Sequence, residues 1–89
     1  MKTVWLDGRL YGDLEKVYRE LDRSLHFPDH FGHNLDALYD VLSETSERTE
    51  IYITNRRALR EKVKNGDVLI SLLMNCADET PDLHVYLFS

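Results

Sequence analysis

Hydrophobic positions follow two different periods along this chain, and their alternation predicts the order of its elements. Short runs rich in β-branched and aromatic residues predict three strands, at Thr3–Leu6, Ile51–Ile53 and Leu83–Phe88. The dipeptide Asp7-Gly8 after the first run predicts a turn. The segments between the strands show helical periodicity, so strands and helices are expected to alternate.

Two amphipathic helices are predicted between the first two strands. Asp13 can cap the first, and Pro28 is expected to end it. The apolar stripe of that helix consists of Leu14, Val17, Tyr18, Leu21 and Leu25. Asn34 can cap the second helix. The apolar face of the second helix consists of Leu35, Leu38, Val41 and Leu42.

Two more helices are predicted between the second and third strands. Asn55 can cap the first of these, NRRALREKVKNG, which Asn65-Gly66 is expected to close in a left-handed cap. Asp67 can cap the segment VLISLLMNCA, whose apolar residues surround every face, so periodicity allows strand or helix. The capping aspartate and the length favour a helix, which Pro81 is expected to break.

This order of elements predicts an α/β fold. Strands separated by helices call for parallel pairing with right-handed crossovers. We therefore expect one domain over residues 1–89, with a three-stranded parallel sheet packed with about four helices. The strand order is not readable from the sequence.

Composition limits the cellular location in which the protein is expected and the classes of partner that it could bind. No apolar run approaches membrane-spanning length, and MKTVWLDG is too short for a secretory signal, so a cytoplasmic location is expected. The single cysteine, Cys76, excludes an intramolecular disulfide and is expected to be a core thiol. The net charge of −5 disfavours general nucleic-acid binding and favours basic partners.

The acidic excess is concentrated in the middle of the chain. Six acids face one base between Asp29 and Glu50, whereas five bases face one acid between Ile51 and Gly66. Asp36 and Asp40 are like-charged i,i+4 neighbours, which costs an isolated helix a few tenths of a kcal/mol. A solvated acidic face and a surface for a cationic partner both explain this pattern, and charge spacing alone does not decide between them.

The order of residue types from Phe27 to Leu42 is more specific. Pro28, His30, Phe31 and Gly32 precede Asn-Leu-Asp-Ala-Leu at residues 34–38, and Tyr39 and Asp40 follow. This stretch resembles the barstar family, the small inhibitors of guanyl-specific ribonucleases. His30 replaces the first of the family's two aromatics and Tyr39 replaces its tryptophan, and both keep a flat ring.

The resemblance implies a binding protein without enzymatic activity, cofactor or metal. It would be a cytoplasmic, antitoxin-like monomer that forms a one-to-one complex with a basic ribonuclease and plugs its active site. Asp40 would mimic a substrate phosphate and Asp36 would be a second anchor. The family's glutamate on the fourth helix falls at Asn75 or Cys76, neither of which is a carboxylate. The expected partner-binding residues are His30, Phe31, Gly32, Asn34, Leu35, Asp36, Tyr39, Asp40 and Asn75.

The resemblance also gives individual roles to the loop residues. His30 would stack over the partner's site, Gly32 would let the backbone approach closely, and Tyr39 would pack beside the anchors. Neither nucleic acid nor membrane is expected as a partner.

Other interpretations remain. A domain of this fold could bind a basic protein that is not a nuclease. A metal site at His30, His33, Asp36 and Asp40 matches no strong motif. Acid–base catalysis by His33 with Asp36 is disfavoured because no nucleophile accompanies them. RNA binding by the bases of the third helix is disfavoured because no aromatic residues are interleaved with them. The tyrosines at core or strand-face positions are Tyr11, Tyr18, Tyr52 and Tyr86.

Overall fold

A computed structural model describes residues 1–29 and 31–89, so His30 lies outside the described residues. The strands are β1 (Lys2–Asp7), β2 (Thr49–Thr54) and β3 (Leu83–Leu87). A 3₁₀ turn (Gly8–Leu10) follows β1 directly. The helices are α1 (Leu14–Leu25), α2 (Leu35–Ser43), α3 (Arg56–Lys62) and α4 (Gly66–Glu79).

The three strands form one parallel sheet in the order β1-β2-β3, so β2 is central. Trp5 pairs with Tyr52, which in turn pairs with Tyr86. The predicted α/β fold, with a parallel three-stranded sheet and four helices, is confirmed. The strands lie where the apolar runs predict them, with ends that differ by one or two residues.

The hydrophobic core lies on one face of this sheet. Val4, Leu6, Ile51 and Ile53 are fully buried, and they alternate with outward-facing residues because successive side chains of a strand point to opposite faces. Both connections move across the sheet in the same direction. Because crossovers between parallel strands are right-handed, all the helices then lie on the same face of the sheet.

Two predicted helix starts are confirmed by their cap hydrogen bonds. The Asp13 carboxylate accepts from the backbone N–H of Lys16 at 3.0 Å. The side-chain oxygen of Asn34 accepts from the backbone N–H of Ala37 at 2.8 Å. Each cap satisfies a donor of the first turn that has no partner inside the helix.

The predicted end of α1 is wrong. The helix ends at Leu25, three residues before Pro28, because His26 adopts the left-handed conformation (φ 56°). The N–H of His26 donates to the carbonyl of Asp22, which closes the last turn. The φ angle of Gly32 is not positive, so the loop does not depend on the conformational freedom of glycine at this position.

The boundary between α3 and α4 also differs from the prediction. Asn55 and Asn65 precede the two helices in left-handed conformations and make no side-chain cap hydrogen bond. The helix α3 ends at Lys62, and Gly66 is the first residue of α4 rather than the last of a cap. Asp67 therefore lies inside the first turn of α4 and is not its cap.

Leu59, which is fully buried on α3, is packed against two glycines. A Cβ atom on Gly8 would lie 2.8 Å from the Leu59 nitrogen and closer still to the Asn55 carbonyl oxygen. A Cβ atom on Gly66 would overlap the Leu59 carbonyl oxygen. These glycines allow the 3₁₀ turn after β1, α3 and α4 to approach one another at the backbone.

The other sequence predictions for the core are mostly confirmed. Cys76 is fully buried, and burial raises the pKa of its thiol. Tyr18 is buried, Tyr11 and Tyr52 are half-buried, and Tyr86 lies exposed on the strand face. Within the described part of the chain, no helix is both long and apolar enough to cross a membrane.

Gly8→Ala should destabilise the fold, because the added methyl group meets backbone atoms that cannot rotate away. We expect a loss of roughly 1–3 kcal/mol, the range for overpacking, seen as a lower Tm in thermal melts. Gly12→Ala is the matched control, since a Cβ there meets nothing within 4 Å. Equal melting temperatures for the two variants would contradict the packing explanation.

Candidate protein-binding site

Three carboxylates form a ridge along the outer side of α2. Asp36 and Asp40 on the helix, and Glu44 at its C-cap, follow one another at i,i+4 spacing, and all three are exposed. We call them the acidic ridge. No ion pair joins any of them to another described residue. The ridge therefore has acceptors available for a cationic partner.

The inner side of α2 fixes the direction in which the ridge points. Leu38 and Leu42 are completely buried, while Leu35 packs against the core from a half-buried position. The cap at Asn34 sets where the helix begins. Because residues of a helix are about 100° apart, burial of Leu38 and Leu42 turns the acidic ridge outward.

The loop before α2 is held by aromatic packing. The ring of Phe31 makes edge contacts with Phe27, at 4.9 Å between centroids, and with Tyr18, at 6.2 Å. Phe31 is therefore half-buried, and its contact with Tyr18 packs the loop against α1. Gly32, next to it, is exposed and presents its backbone.

His33 ties the same loop to α1. Its Nδ1 lies 2.7 Å from Oε1 of Glu15, and its ring lies 5.2 Å from that of Phe31. The hydrogen bond from His33 lowers the pKa of the Glu15 carboxyl, and Arg19 contributes a second hydrogen bond with the same effect. The loop is thus joined to α1 by a polar contact as well as by aromatic packing.

A small cavity lies between this loop and the acidic ridge. Its volume is about 220 Å³. It is lined by Pro28, Phe31, Gly32, Ala37, Asp40, Val41 and Glu44. The cavity can receive a side chain of a partner, with the Asp40 carboxylate at its wall.

A carboxylate from α4 reaches this surface, and sequence reasoning missed it. The hydroxyl of Tyr39 donates to Oε2 of Glu79 at 2.6 Å. This hydrogen bond raises the pKa of the Tyr39 hydroxyl, which therefore remains a donor. The only sequence signal for Glu79 is its i,i+4 spacing from Asn75, which places both on one face of α4.

The structure separates the two fourth-helix candidates. Asn75 is exposed on the same face of α4 as Glu79, whereas Cys76 is fully buried and unable to touch a partner. The stacking role expected for His30 stays a prediction, because that residue lies outside the described part of the chain. Over residues 1–29 and 31–89, no group of three or more histidine, cysteine, aspartate or glutamate side chains could hold a metal ion.

Comparison with known proteins identifies the family of this chain. A small parallel α/β domain with an acidic helix beside an aromatic loop is what the barstar resemblance implies. A family model described as "Barstar (barnase inhibitor)" matches residues 1–87, so the chain belongs to the barstar family.

A curated relative gives a second, shorter match. The protein "Putative ribonuclease inhibitor YrdF" of Bacillus subtilis (strain 168) is 42% identical over 43 residues. That match covers 48% of this chain and 47% of the relative, so it spans about half the length of each protein.

Glu15→Gln should reduce stability in a pH-dependent way. The folded-state pKa of Glu15 is depressed, so its contribution is present above the ordinary glutamate pKa of 4.5 and is lost as pH falls through the lower folded-state value. Thermal melts should show a lower Tm than wild type at pH 6, and the difference should shrink as the pH falls below 4.5.

Glu61→Gln is a matched control, because Glu61 is exposed on α3 and is in no ion pair with a described residue. Its melting temperature should track that of wild type at pH 6 and at pH 3. A Glu15→Gln difference that persists unchanged at pH 3 would show that the charge of Glu15 is not what stabilises the loop.

Proposed function

We propose that this domain inhibits a basic ribonuclease by covering its active site with α2 and the loop before it. The observation that carries the proposal is the exposed acidic ridge, which forms no ion pair with another described residue. Its members Asp36 and Asp40 lie in the stretch that resembles the barstar family. A ribonuclease must hold substrate phosphates, and it does so with arginine, lysine and histidine side chains. The acidic ridge offers the complementary charge.

Asp40 is the residue that we assign to the phosphate position. It lies at the wall of the 220 Å³ cavity, at the middle of the ridge. A carboxylate there can accept charge-assisted hydrogen bonds from the partner's cations, which are about twice as strong as neutral ones. Asp36, one turn earlier, would be the second anchor, and Glu44 would lie at the rim.

Glu79 is our candidate for the family's fourth-helix carboxylate. Its hydrogen bond to Tyr39 fixes a second acidic group beside α2, although it comes from a different element. The partner surface would then comprise charges from both helices, with Asn75 one turn away on α4. This assignment would supply the carboxylate that both Asn75 and Cys76 lack.

Barnase is the defined probe, because the family is described as its inhibitor. Cleavage of a fluorogenic RNA oligonucleotide by barnase should fall linearly with added domain and reach zero at one-to-one stoichiometry. Undiminished cleavage at a tenfold excess would contradict inhibition of barnase. Calorimetric binding to barnase without any loss of cleavage would instead favour a binding module for basic proteins.

Asp40→Ala should weaken this binding strongly and leave folding intact. Removing one member of a desolvated charge pair costs ~2–5 kcal/mol, a range that comes partly from the barnase–barstar complex itself. That corresponds to a Kd increase of roughly 30-fold to several thousandfold. The free variant should melt at the same temperature or higher, because a like-charge i,i+4 repulsion is removed.

Glu44→Ala removes the same charge one turn further along the acidic ridge, at the rim, and should raise Kd much less than Asp40→Ala does. Calorimetric titration against barnase, together with melts of the free proteins, measures both. Wild-type affinity in Asp40→Ala, or an effect seen mainly on its melting temperature, would contradict the phosphate-mimic role.

Glu79→Gln tests the carboxylate from α4 separately. The amide oxygen of glutamine can still accept the Tyr39 hydrogen bond, so the change removes charge and keeps the position. We expect Kd to rise roughly 10- to 100-fold, the loss of one hydrogen bond between charged groups.

The neighbouring residue supplies the control for Glu79→Gln. Asp78 is also exposed, but it lies about 100° away around α4. Asp78→Asn should therefore change Kd by less than about twofold. Equal effects of the two variants would show that Glu79 acts only through net charge and has no place in the interface.

A further inference from the structure

The face of the sheet opposite the helices carries a stack of aromatic rings. Trp5 and Tyr52 stack at 4.2 Å between centroids with planes 10° apart, and Tyr52 and Tyr86 stack at 5.0 Å and 19°. Phe88 lies parallel to this row, 6.5 Å from Trp5 and 6.3 Å from Tyr52. We call these four residues the aromatic stack.

The aromatic stack is open at one end. Trp5 is 60% exposed, and β1 is an edge strand, so only one face of the indole is occupied by Tyr52. Tyr86 and Phe88 are 37% and 47% exposed. Apolar surface of this kind, concentrated on one face, marks an interaction site more often than scattered residues do.

A cationic cleft adjoins the aromatic stack where the strands end. The cleft has a volume of about 530 Å³. Its charged lining consists of Arg9, Arg56, Arg57, Arg60, Lys62 and Glu61. No ion pair joins the bases of α3 to another described residue. They are therefore available for an anionic ligand.

Backbone contacts join the cleft to the stack. The N–H of Arg56 donates to the carbonyl oxygen of Phe88 at 3.4 Å, and Ser89 lines the cleft. On the other side, Asp7 ends the strand of Trp5 and binds Arg9 and Asn55, both of which line the cleft. The cleft and the aromatic stack thus adjoin at two places, at Phe88-Ser89 and at Asp7, where the strands end.

Two of the four nearby carboxylates are neutralised by hydrogen-bonded partners. Asp7 is paired with Arg9 at 2.8 Å, and Glu50 accepts from Arg48 and from the Tyr52 hydroxyl. Glu61 lines the cleft itself, where it faces five bases, and Asp67 lines an adjoining cavity with Arg57 and Arg60. Positive charge therefore prevails beside the aromatic stack, although the whole chain carries −5.

We propose that the aromatic stack and the cationic cleft bind single-stranded RNA, with phosphates on the arginines of α3 and a base on the free face of Trp5. Single-strand binders combine a positive groove that follows the backbone with aromatic rings on which bases stack. No aromatic residue is interleaved with the bases of α3, and the strands of the sheet provide the aromatic rings instead. The proposal does not depend on inhibition of a ribonuclease.

The chemistry of the surface favours RNA over the other occupants. An acidic ridge from a second copy could enter the cleft, but it would leave the aromatic stack uncovered. The exposed area of the stack, roughly 350 Å² if each ring buries 150–250 Å², is small for a stable dimer, which buries about 800 Å² on each partner. A nucleotide chain uses both parts of the surface.

The test uses a fluorescein-labelled oligouridylate of eight nucleotides and the whole protein, and follows binding by anisotropy. The emission of Trp5, the only tryptophan of the chain, should be quenched on binding. The logarithm of the association constant should fall against the logarithm of salt concentration with a slope of roughly −2, for about three phosphates. An RNA duplex of the same length should bind more weakly, because its bases are already stacked.

Three variants separate the components. Arg57→Gln should make the slope of the logarithm of the association constant against the logarithm of salt concentration shallower by roughly 0.7. Trp5→Leu should raise Kd roughly 5- to 150-fold with the slope unchanged, as expected for loss of one stacked base. Lys16→Gln on α1, an exposed base away from the cleft, is the matched control and should bind as wild type does.

Several outcomes would overturn the proposal. These are binding that Trp5→Leu leaves intact, equal affinity for the duplex, and equal weakening by Arg57→Gln and Lys16→Gln. Sedimentation that shows a dimer of the free protein, dissociated by Trp5→Leu, would assign the surface to a second copy instead. Asp40→Ala should bind the oligonucleotide normally, so failure of this proposal and failure of ribonuclease inhibition are distinguishable.

Discussion

The arrangement of the whole domain depends on the strand order of its parallel sheet, β1-β2-β3, which follows the order of the strands in the chain. β2 has a parallel neighbour on each side, and its inward residues Ile51 and Ile53 are completely buried. Because each crossover steps to the next strand in the same direction, crossovers of one hand bring every helix to one face. Parallel sheets are usually covered on both faces. In this small domain, one face remains open to solvent.

This one-sided arrangement divides the chemistry of the molecule between two surfaces. The helix side carries the acidic ridge and Glu79, while the open side carries the aromatic stack and leads to the bases of α3. A net charge of −5 describes neither surface. It averages an acidic region around α2 with a basic one at α3, and each can attract a different class of ligand.

The sequence predicts what depends on neighbours along the chain. The cap at Asn34 and the burial of Leu38 and Leu42 follow from local spacing, so the direction of the acidic ridge was predictable. Contacts between distant elements were not. The hydrogen bond from Tyr39 to Glu79 joins residues forty positions apart, and the spacing of Glu79 from Asn75 within α4 does not predict it. Helix ends were mispredicted where a left-handed residue, such as His26, stops the helix before a proline does.

The aromatic stack could not be predicted from the sequence for the same reason. Trp5, Tyr52 and Tyr86 belong to three separate strands, and only the strand order and register place them in one row. Their inward neighbours, such as Val4 and Ile51, form the core independently, because alternate residues of a strand face opposite ways. Substitutions on the open face can therefore change what the domain binds there without disturbing the packing that presents the acidic ridge. The fold separates two surfaces that can be altered one at a time.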